Sequence, residues 1–391
     1  MLLNDDLWTD KIYLSGWRAG GGGVQPVIEP ATGGQLGSIG VADAHDVHRA
    51  AGAAAAAQRA WAATTPAERA TVLRRAGDLC ISHRAEIEDW LVRESGSIPA
   101  KAAVEADAAA GICYESAALP THPHGEVLAS NEPRWSFARR RPVGVVSVIA
   151  PFNFPLILSI RSVAPALALG NAVLLKPDPR TAVCGGVALL RIFAEAGLPG
   201  ELLHLLPGGQ DVGSAVVEVP EVRVISFTGS TATGRKIGAA ASKLLKRVHL
   251  ELGGNNALVV LAGADIEKAA SAGAFGSFNH QGQICMSTGR HLVHESVAED
   301  YLAALAAKAA ALPVGDPASG QVALGPIIDA AQLDHIDEVV LAGIAAGDRV
   351  LAGGRPAAPY YPPTVLACAG SESPAWRQEF FGPVAAVLTY S

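Results

Sequence analysis

The sequence is short of the residues that mark exported, metal-stapled or nucleic-acid-binding proteins. Its five cysteines (Cys80, Cys113, Cys184, Cys285 and Cys368) are odd in number, scattered, and include no C-x-x-C pair. That speaks against a disulfide framework and for a reducing, cytoplasmic setting. His122 with His124, and His291 with His294, lack a Cys or Glu at ligand spacing, so no metal site is expected. Basic residues are fewer than acidic ones, 30 against 37, for a net charge of −7. Their one cluster, RWSFARRR at Arg134–Arg141, lies in an alternating, strand-like segment and reads as a solvated or subunit-contacting edge. No nucleic-acid partner is implied. The amino-terminal MLLNDDLWTDK has acids where an export signal carries bases. The longest uncharged run, Pro142–Ile160, has bilayer length, but Pro151, Asn153 and Pro155 interrupt it. It reads as a strand, a turn and a helix start, so no membrane partner is expected.

What the sequence does have is alanine, glycine and a repeating β-α rhythm. Half of its residues are apolar and only 5% are aromatic, a composition that suits closely packed helices on a sheet, and 391 residues allow two or three domains. Residues 7–40 alternate and turn, predicting short strands and hairpins. Helices are predicted over Asp43–Ala62, Pro66–Ser95 and Ala100–Ala117, followed by a strand pair over Gly125–Arg141. From Val143, strands (VGVVSVI, AVLLKP, LLHLLPG, VRVISFTG) alternate with helical segments, which predicts an α/β fold with a doubly wound parallel sheet. A second block begins at RVHLELGG (Arg247–Gly254), with the boundary near Glu251, and runs through NALVVL, a helix at Ile266–Phe278, HLVHESV, and helices at Val297–Leu312 and Asp329–Ala346.

Several stretches can carry chemistry, and each also has a plain reading. FNHQGQICMSTGR (Phe278–Arg290) is a polar, glycine-containing loop around one thiol, Cys285, which is either a reachable nucleophile or a small buried hydrophobe. FTGSTATGRKIG (Phe227–Gly238) is a strand-to-helix turn whose Ser230 and Thr231 amides suit a phosphate, although Thr231 stands where G-x-G-x-x-G has its second glycine. ELGGNN (Glu251–Asn256) offers a carboxylate that, if buried, suits a general base; otherwise it is an ordinary salt-bridge or capping residue. PFNFP (Pro151–Pro155) presents Asn153 as an oxyanion donor or a turn former. Lys176, in LLKPDPR, is a ribose or phosphate contact or an exposed cation.

Taken together, PFNFP, LLKP, FTGSTxxGR, LELGG, NxGQxC and EFFGPV occur in an order that resembles the aldehyde dehydrogenase superfamily over essentially the whole chain. ELGG thirty-four residues before the thiol of NxGQxC is the most specific part of that pattern. The resemblance implies two Rossmann-like doubly wound domains plus a small β oligomerisation element, and a homodimer or homotetramer if the C-terminal region is present. It makes residues 1–250 the dinucleotide-binding domain, with strands near 11–28 and 125–141 in the oligomerisation element, and 251–391 the catalytic domain. It also implies oxidation of a small-molecule aldehyde with NAD or NADP. Cys285 would be the nucleophile, Glu251 the base that activates water, and Asn153 with the Cys285 amide the oxyanion hole. At the matching positions, Ala150, Pro151, Phe152, Lys176, Pro179, Gly209, Gly213, Phe227, Gly229, Ser230, Thr233, Gly234, Leu252, Glu379 and Phe381 would hold the dinucleotide. The KPDPR and HQGQICMSTGRHLVH wording looks most like benzaldehyde-type enzymes, with Phe152, Phe154 and Met286 around a flat ring.

There are two departures from the pattern. Pro179 occupies a position where relatives often carry a ribose-binding glutamate, and Arg180 beside it can tolerate a 2′-phosphate, so use of NADP as well as NAD is expected. The chain also stops at AAVLTYS, just past EFFGPV, whereas relatives continue, so the catalytic domain is expected to be incomplete at its C-terminus. The alternatives are a truncated, catalytically compromised nucleotide-binding form and a cofactor-independent cysteine esterase.

Overall fold

The computed structural model describes residues 1–391. The chain divides into two compact units. One comprises Met1–Val27, Leu36–Glu88 and Ala103–Glu251, and the other Ile28–Gln35, Asp89–Ala102 and Leu252–Ser391.

The first unit is built on a seven-stranded sheet in the order Arg247–Leu252, Val222–Gly229, Val145–Ile149, Ala172–Lys176, Leu203–Leu205, Ile12–Tyr13, Trp17–Arg18. Val222–Gly229 through Leu203–Leu205 are parallel, and Ile12–Tyr13 and Trp17–Arg18 add an antiparallel edge. Every residue of Val145–Ile149 and Ala172–Lys176 is buried, as expected for strands covered on both faces. The helices start where the chain supplies caps. Asp43 and Asp46 form a capping box at Ala44–Ala63, and Thr65 with Glu68 forms another at Pro66–Ser82, where Pro66 sits in the first turn.

Four local expectations are corrected. The helix predicted over Pro66–Ser95 is two helices, Pro66–Ser82 and Arg84–Ser95, which separate at His83. The segment after Lys176 opens with a π-helical turn, Val183–Val187, before Ala188–Glu195. Arg247–Leu252 belongs to the first sheet rather than opening the second. Of the strands assigned to an oligomerisation element, Ile12–Tyr13 and Trp17–Arg18 extend the first sheet, and Val24–Ile28 pairs with Gln35–Gly40. Only Gly125–Leu128 with Ser136–Arg139 stands as a separate exposed hairpin. No helix is long and apolar enough to cross a membrane.

The second unit carries a five-stranded sheet in the order Ala257–Val260, Arg290–His294, Val384–Tyr390, Thr364–Ala367, Arg349–Ala352, parallel except for the last pair. One face packs Phe278, Tyr301 and Leu305 against Val293, Val365 and Val387. The other packs Ile336, Val340, Tyr361 and Trp376 against Leu366, Val384 and Ala386. Alternate residues of each strand therefore enter opposite cores, which explains the nearly continuous apolar runs.

Candidate active site

In the first unit, strand register gathers the candidates. Ile149 pairs with both Lys176 and Phe227, so the pairing of three parallel strands ends level, and the residues beyond (Ala150–Phe154, Pro177–Arg180, Thr228–Ser230) leave one edge. That edge is where open α/β sheets bind ligands. The turn after Phe227 is regular. Ser230 caps the helix Thr231–Lys243, accepting from the Thr233 amide at 3.3 Å, which leaves the first amides of the helix for a ligand. A Cβ on Gly229 would lie 2.6 Å from the Phe227 ring, so the aromatic is folded over the glycine. Arg161 donates to Thr228 Oγ1 at 2.9 Å and holds the turn from below.

Lys176 is not the exposed cation of the plainer reading. It is buried, and burial lowers its pKa despite the nearby Asp178 and Asp211 carboxylates. Its Nζ donates only a long 3.4 Å bond to the Pro177 carbonyl, and its stem lies 3.6 Å from where a Cβ on Gly213 would sit. A buried ammonium with so little protein satisfaction, beside Gly213 near the uncapped start of the helix Gln210–Glu218, fits a ribose and its phosphates. Gly209 caps the helix Gln210–Glu218 without a side chain, and Lys246 closes its far end by donating to the Val217 and Val219 carbonyls at 2.6 Å each.

Asn153 is buried in the turn before the helix Pro155–Ala168. That helix has no cap of its own; the buried Glu105 accepts from the Leu156 and Ile157 amides at 2.8 and 3.1 Å, fixing the turn from a distant helix. Phe152 is buried with the Arg180 guanidinium 4.3 Å over its ring, so that face is not an open platform for a substrate. Glu251 departs from the buried base imagined from sequence: its side chain is 48% exposed, with His249 Nε2 at 3.4 Å.

In the second unit the thiol loop is irregular. Phe278 ends its helix, and the next turn contains three consecutive left-handed residues, His280 (φ 49°), Gln281 (φ 55°) and Gly282 (φ 65°). A Cβ on Gly282 would meet the Gly382 carbonyl oxygen at 2.0 Å, so both backbone angle and close approach demand glycine. Buried Gln281 donates to the Gly96 and Pro326 carbonyls at 3.0 Å each, and Gln283 accepts from the Ile328 amide at 3.1 Å. Cys285 emerges half-buried, its carbonyl held by Asn256 at 3.0 Å. Met286 beside it is exposed. Below the loop, Ser277, His291 and Tyr301 form a buried chain of hydrogen bonds (2.8 and 2.6 Å), and burial takes the His291 pKa down to about 4.

Ile284 and Ser287, flanking Cys285, share a cleft with Gly254, Asn255, Glu379 and Phe381. Glu379 lies against the Gly253–Gly254 pair, accepting from the Gly254 amide at 3.0 Å, and burial raises its pKa. Gln332 donates to the Phe380 and Phe381 carbonyls, and His335 Nε2 lies 3.1 Å from the Glu379 carbonyl. Reading the sequence missed Glu105, Asn256, Gln281 and Gln332, all of which work through backbone groups of distant segments. Asn256, adjoining ELGG, and Gln281, inside the loop around Cys285, carried a local hint; Glu105 and Gln332 carried none.

A family model described as the aldehyde dehydrogenase family matches residues 17–391. The chain belongs to that family. It is 62% identical over 389 residues to a vanillin dehydrogenase of an Amycolatopsis species, covering all of this chain and 80% of the relative. It is 47% identical to the benzaldehyde dehydrogenase [NAD(+)] of Pseudomonas putida, covering 98% of this chain and 79% of that one. The crystal structure of an NAD-dependent benzaldehyde dehydrogenase from Corynebacterium glutamicum superposes with a TM-score of 0.92 at 41% identity, covering 97% of this chain and 84% of the other. A betaine aldehyde dehydrogenase from Staphylococcus aureus in complex with NAD+ gives 0.95 at 26% identity, covering 100% and 79%. As an aldehyde dehydrogenase, the chain carries its family's two doubly wound units.

Proposed function

We propose that this aldehyde dehydrogenase oxidises an aromatic aldehyde to its carboxylic acid with NAD or NADP, using Cys285 as nucleophile. The observation that carries the reading is a half-buried thiol on a strained loop whose flanking residues, Ile284 and Ser287, line a cleft with Glu379 and Phe381. The relatives named for vanillin and benzaldehyde support the aromatic class.

In this reading the Cys285 thiolate adds to the aldehyde carbon, and the resulting alkoxide is stabilised by the Asn153 amide and the Cys285 backbone N–H. Such a donor is worth roughly 3–4 kcal/mol of barrier. Lys176, Gly213, Gly229, Ser230 and Glu379 would hold the dinucleotide, whose nicotinamide would supply a hydride acceptor. Glu251 then takes a proton from the water that hydrolyses the Cys285 thioester. The half-exposed carboxylate has access to solvent for that step. Phe154 and Met286 flank the substrate, consistent with an exposed, adaptable thioether beside the thiol.

The protein works in the cytoplasm as a homodimer or homotetramer. The hairpin Gly125–Arg139 supports this assembly, since Trp135 and Phe137 stack on it at 6.2 Å while remaining exposed. The direct test is Cys285→Ala. Aldehyde-dependent NAD(P)H formation should fall by about a thousandfold or more, while dinucleotide binding persists. Undiminished turnover would refute the reading, and ester cleavage that ignores dinucleotide would redirect it to a hydrolase. Faster turnover of acetaldehyde than of benzaldehyde would refute the aromatic assignment.

A further inference from the structure

The thiol loop enters through left-handed backbone, and its exit is held by a different device. The turn that carries Cys285 is closed on itself: Ser287 Oγ donates to the Gly282 carbonyl at 2.9 Å, and the Ser287 amide to the Ile284 carbonyl at 3.0 Å. Asn256 holds the Cys285 and Ser287 carbonyls at 3.0 and 3.2 Å. Thr288 then joins the turn to the end of the helix Ile266–Phe278 through both of its backbone groups. Its amide donates to the Gly276 carbonyl at 2.8 Å, and its carbonyl accepts from Ser277 Oγ at 2.7 Å.

Proton counting sets the direction of every bond behind that joint. A carbonyl only accepts, so the single hydroxyl proton of Ser277 goes to Thr288. His291 Nε2, 2.8 Å from Ser277 Oγ, must then be a donor, and it also lies 3.3 Å from the Thr288 carbonyl. Nδ1 is left bare and accepts from the Tyr301 hydroxyl at 2.6 Å. All three side chains are buried, and burial lowers the imidazole pKa to about 4 and raises that of the phenol. The ring is therefore neutral, and the phenol keeps its proton. Without the ring, the Ser277 hydroxyl would be free to turn back to the Gly273 carbonyl, four residues earlier in its own helix.

We infer that Ser277, oriented by His291 and Tyr301, is a positioning residue for Cys285, holding the exit of the thiol loop through the Thr288 carbonyl. The inference rests on Cys285 as the nucleophile. A reacting atom displaced by about 1 Å can cost about a hundredfold in rate, so a hydroxyl at this joint reaches the chemistry without touching substrate.

The test measures the pre-steady-state rate of NADH formation and the KM for benzaldehyde. It compares the wild type, Ser277→Ala, His291→Leu, His291→Gln and the Ser277→Ala/His291→Leu double variant, with circular dichroism to check folding. Ser277→Ala and His291→Leu should each slow the first turnover about tenfold, with KM within about twofold of wild type. His291→Gln, whose amide offers the same donor and acceptor, should retain most of the rate. The double variant should be no slower than Ser277→Ala alone, because both changes break one joint. A wild-type rate in Ser277→Ala would overturn the inference, as would losses that multiply in the double variant. Nitrogen-15 shifts of the His291 ring in the wild type add a reading that survives a variant's failure to fold. A proton on Nε2 is expected, and one on Nδ1 would overturn the inference. Undiminished turnover in Cys285→Ala would instead overturn the nucleophile on which it rests.

Discussion

Two glycine-bearing turns, one in each unit, solve opposite problems. The turn from Phe227 to Thr233 follows local rules: a strand ends, Ser230 caps, and a helix begins with its amides outward. The turn from Phe278 to Cys285 follows none of them. It takes three left-handed residues in a row and is kept there by distant partners: Gly96 and Pro326 bonded to Gln281, Ile328 bonded to Gln283, and Gly382 packed against Gly282. The first turn only has to offer unspent amides, which any well-capped helix does. The second has to aim one thiol, and aiming requires a conformation that the chain would not choose alone.

The comparison predicts unequal tolerance. Gly282→Ala should be the most damaging change, because it adds a Cβ both at φ 65° and against the Gly382 carbonyl. A loss of about 3 kcal/mol or more in urea unfolding is expected, with activity lost alongside. Stability near that of the wild type would show that the loop relaxes freely.

A second prediction concerns pH. His204 in the first unit and His291 in the second are buried imidazoles whose burial holds their pKa values at about 4, below the ordinary 6.5. A depressed folded-state value means the stabilisation is present above about 6.5 and is lost as pH falls towards 4, because only the unfolded chain can readily take up the proton. At pH 5 each ring should cost roughly 2 kcal/mol relative to pH 7. His291→Gln should flatten the pH slope of urea unfolding by its share, and an unchanged slope would refute that assignment.

The smallest effect belongs to the regular turn. Ser230→Ala removes one cap and should cost about 1 kcal/mol, measured by thermal unfolding. A cost matching that of Gly282→Ala would erase the distinction between the turns.

The same distinction explains what could be read from the sequence. Asp43, Thr65 and Ser230 announced their helices because a cap is a local event, and the strands ending at Ile149, Lys176 and Phe227 were visible from apolar runs closed by Pro or Gly. The break at His83 was not visible, since no Gly or Pro marks it. Arg247–Leu252 was legible as a strand but not as a member of the first sheet, because partner choice is set by packing rather than by periodicity. At the site, motif order pointed to Cys285, Lys176 and Glu379. The burial of Lys176, the exposure of Glu251 and the stacking of Arg180 on Phe152 depend on residues brought together only by folding.

Glu379 brings a last consequence. Its Oε1 accepts from the Gly254 amide, and a carboxylate keeps further lone pairs for a second donor. The amide therefore aims the group without spending it, and a hydroxyl reaching Glu379 would meet an acceptor that is already oriented.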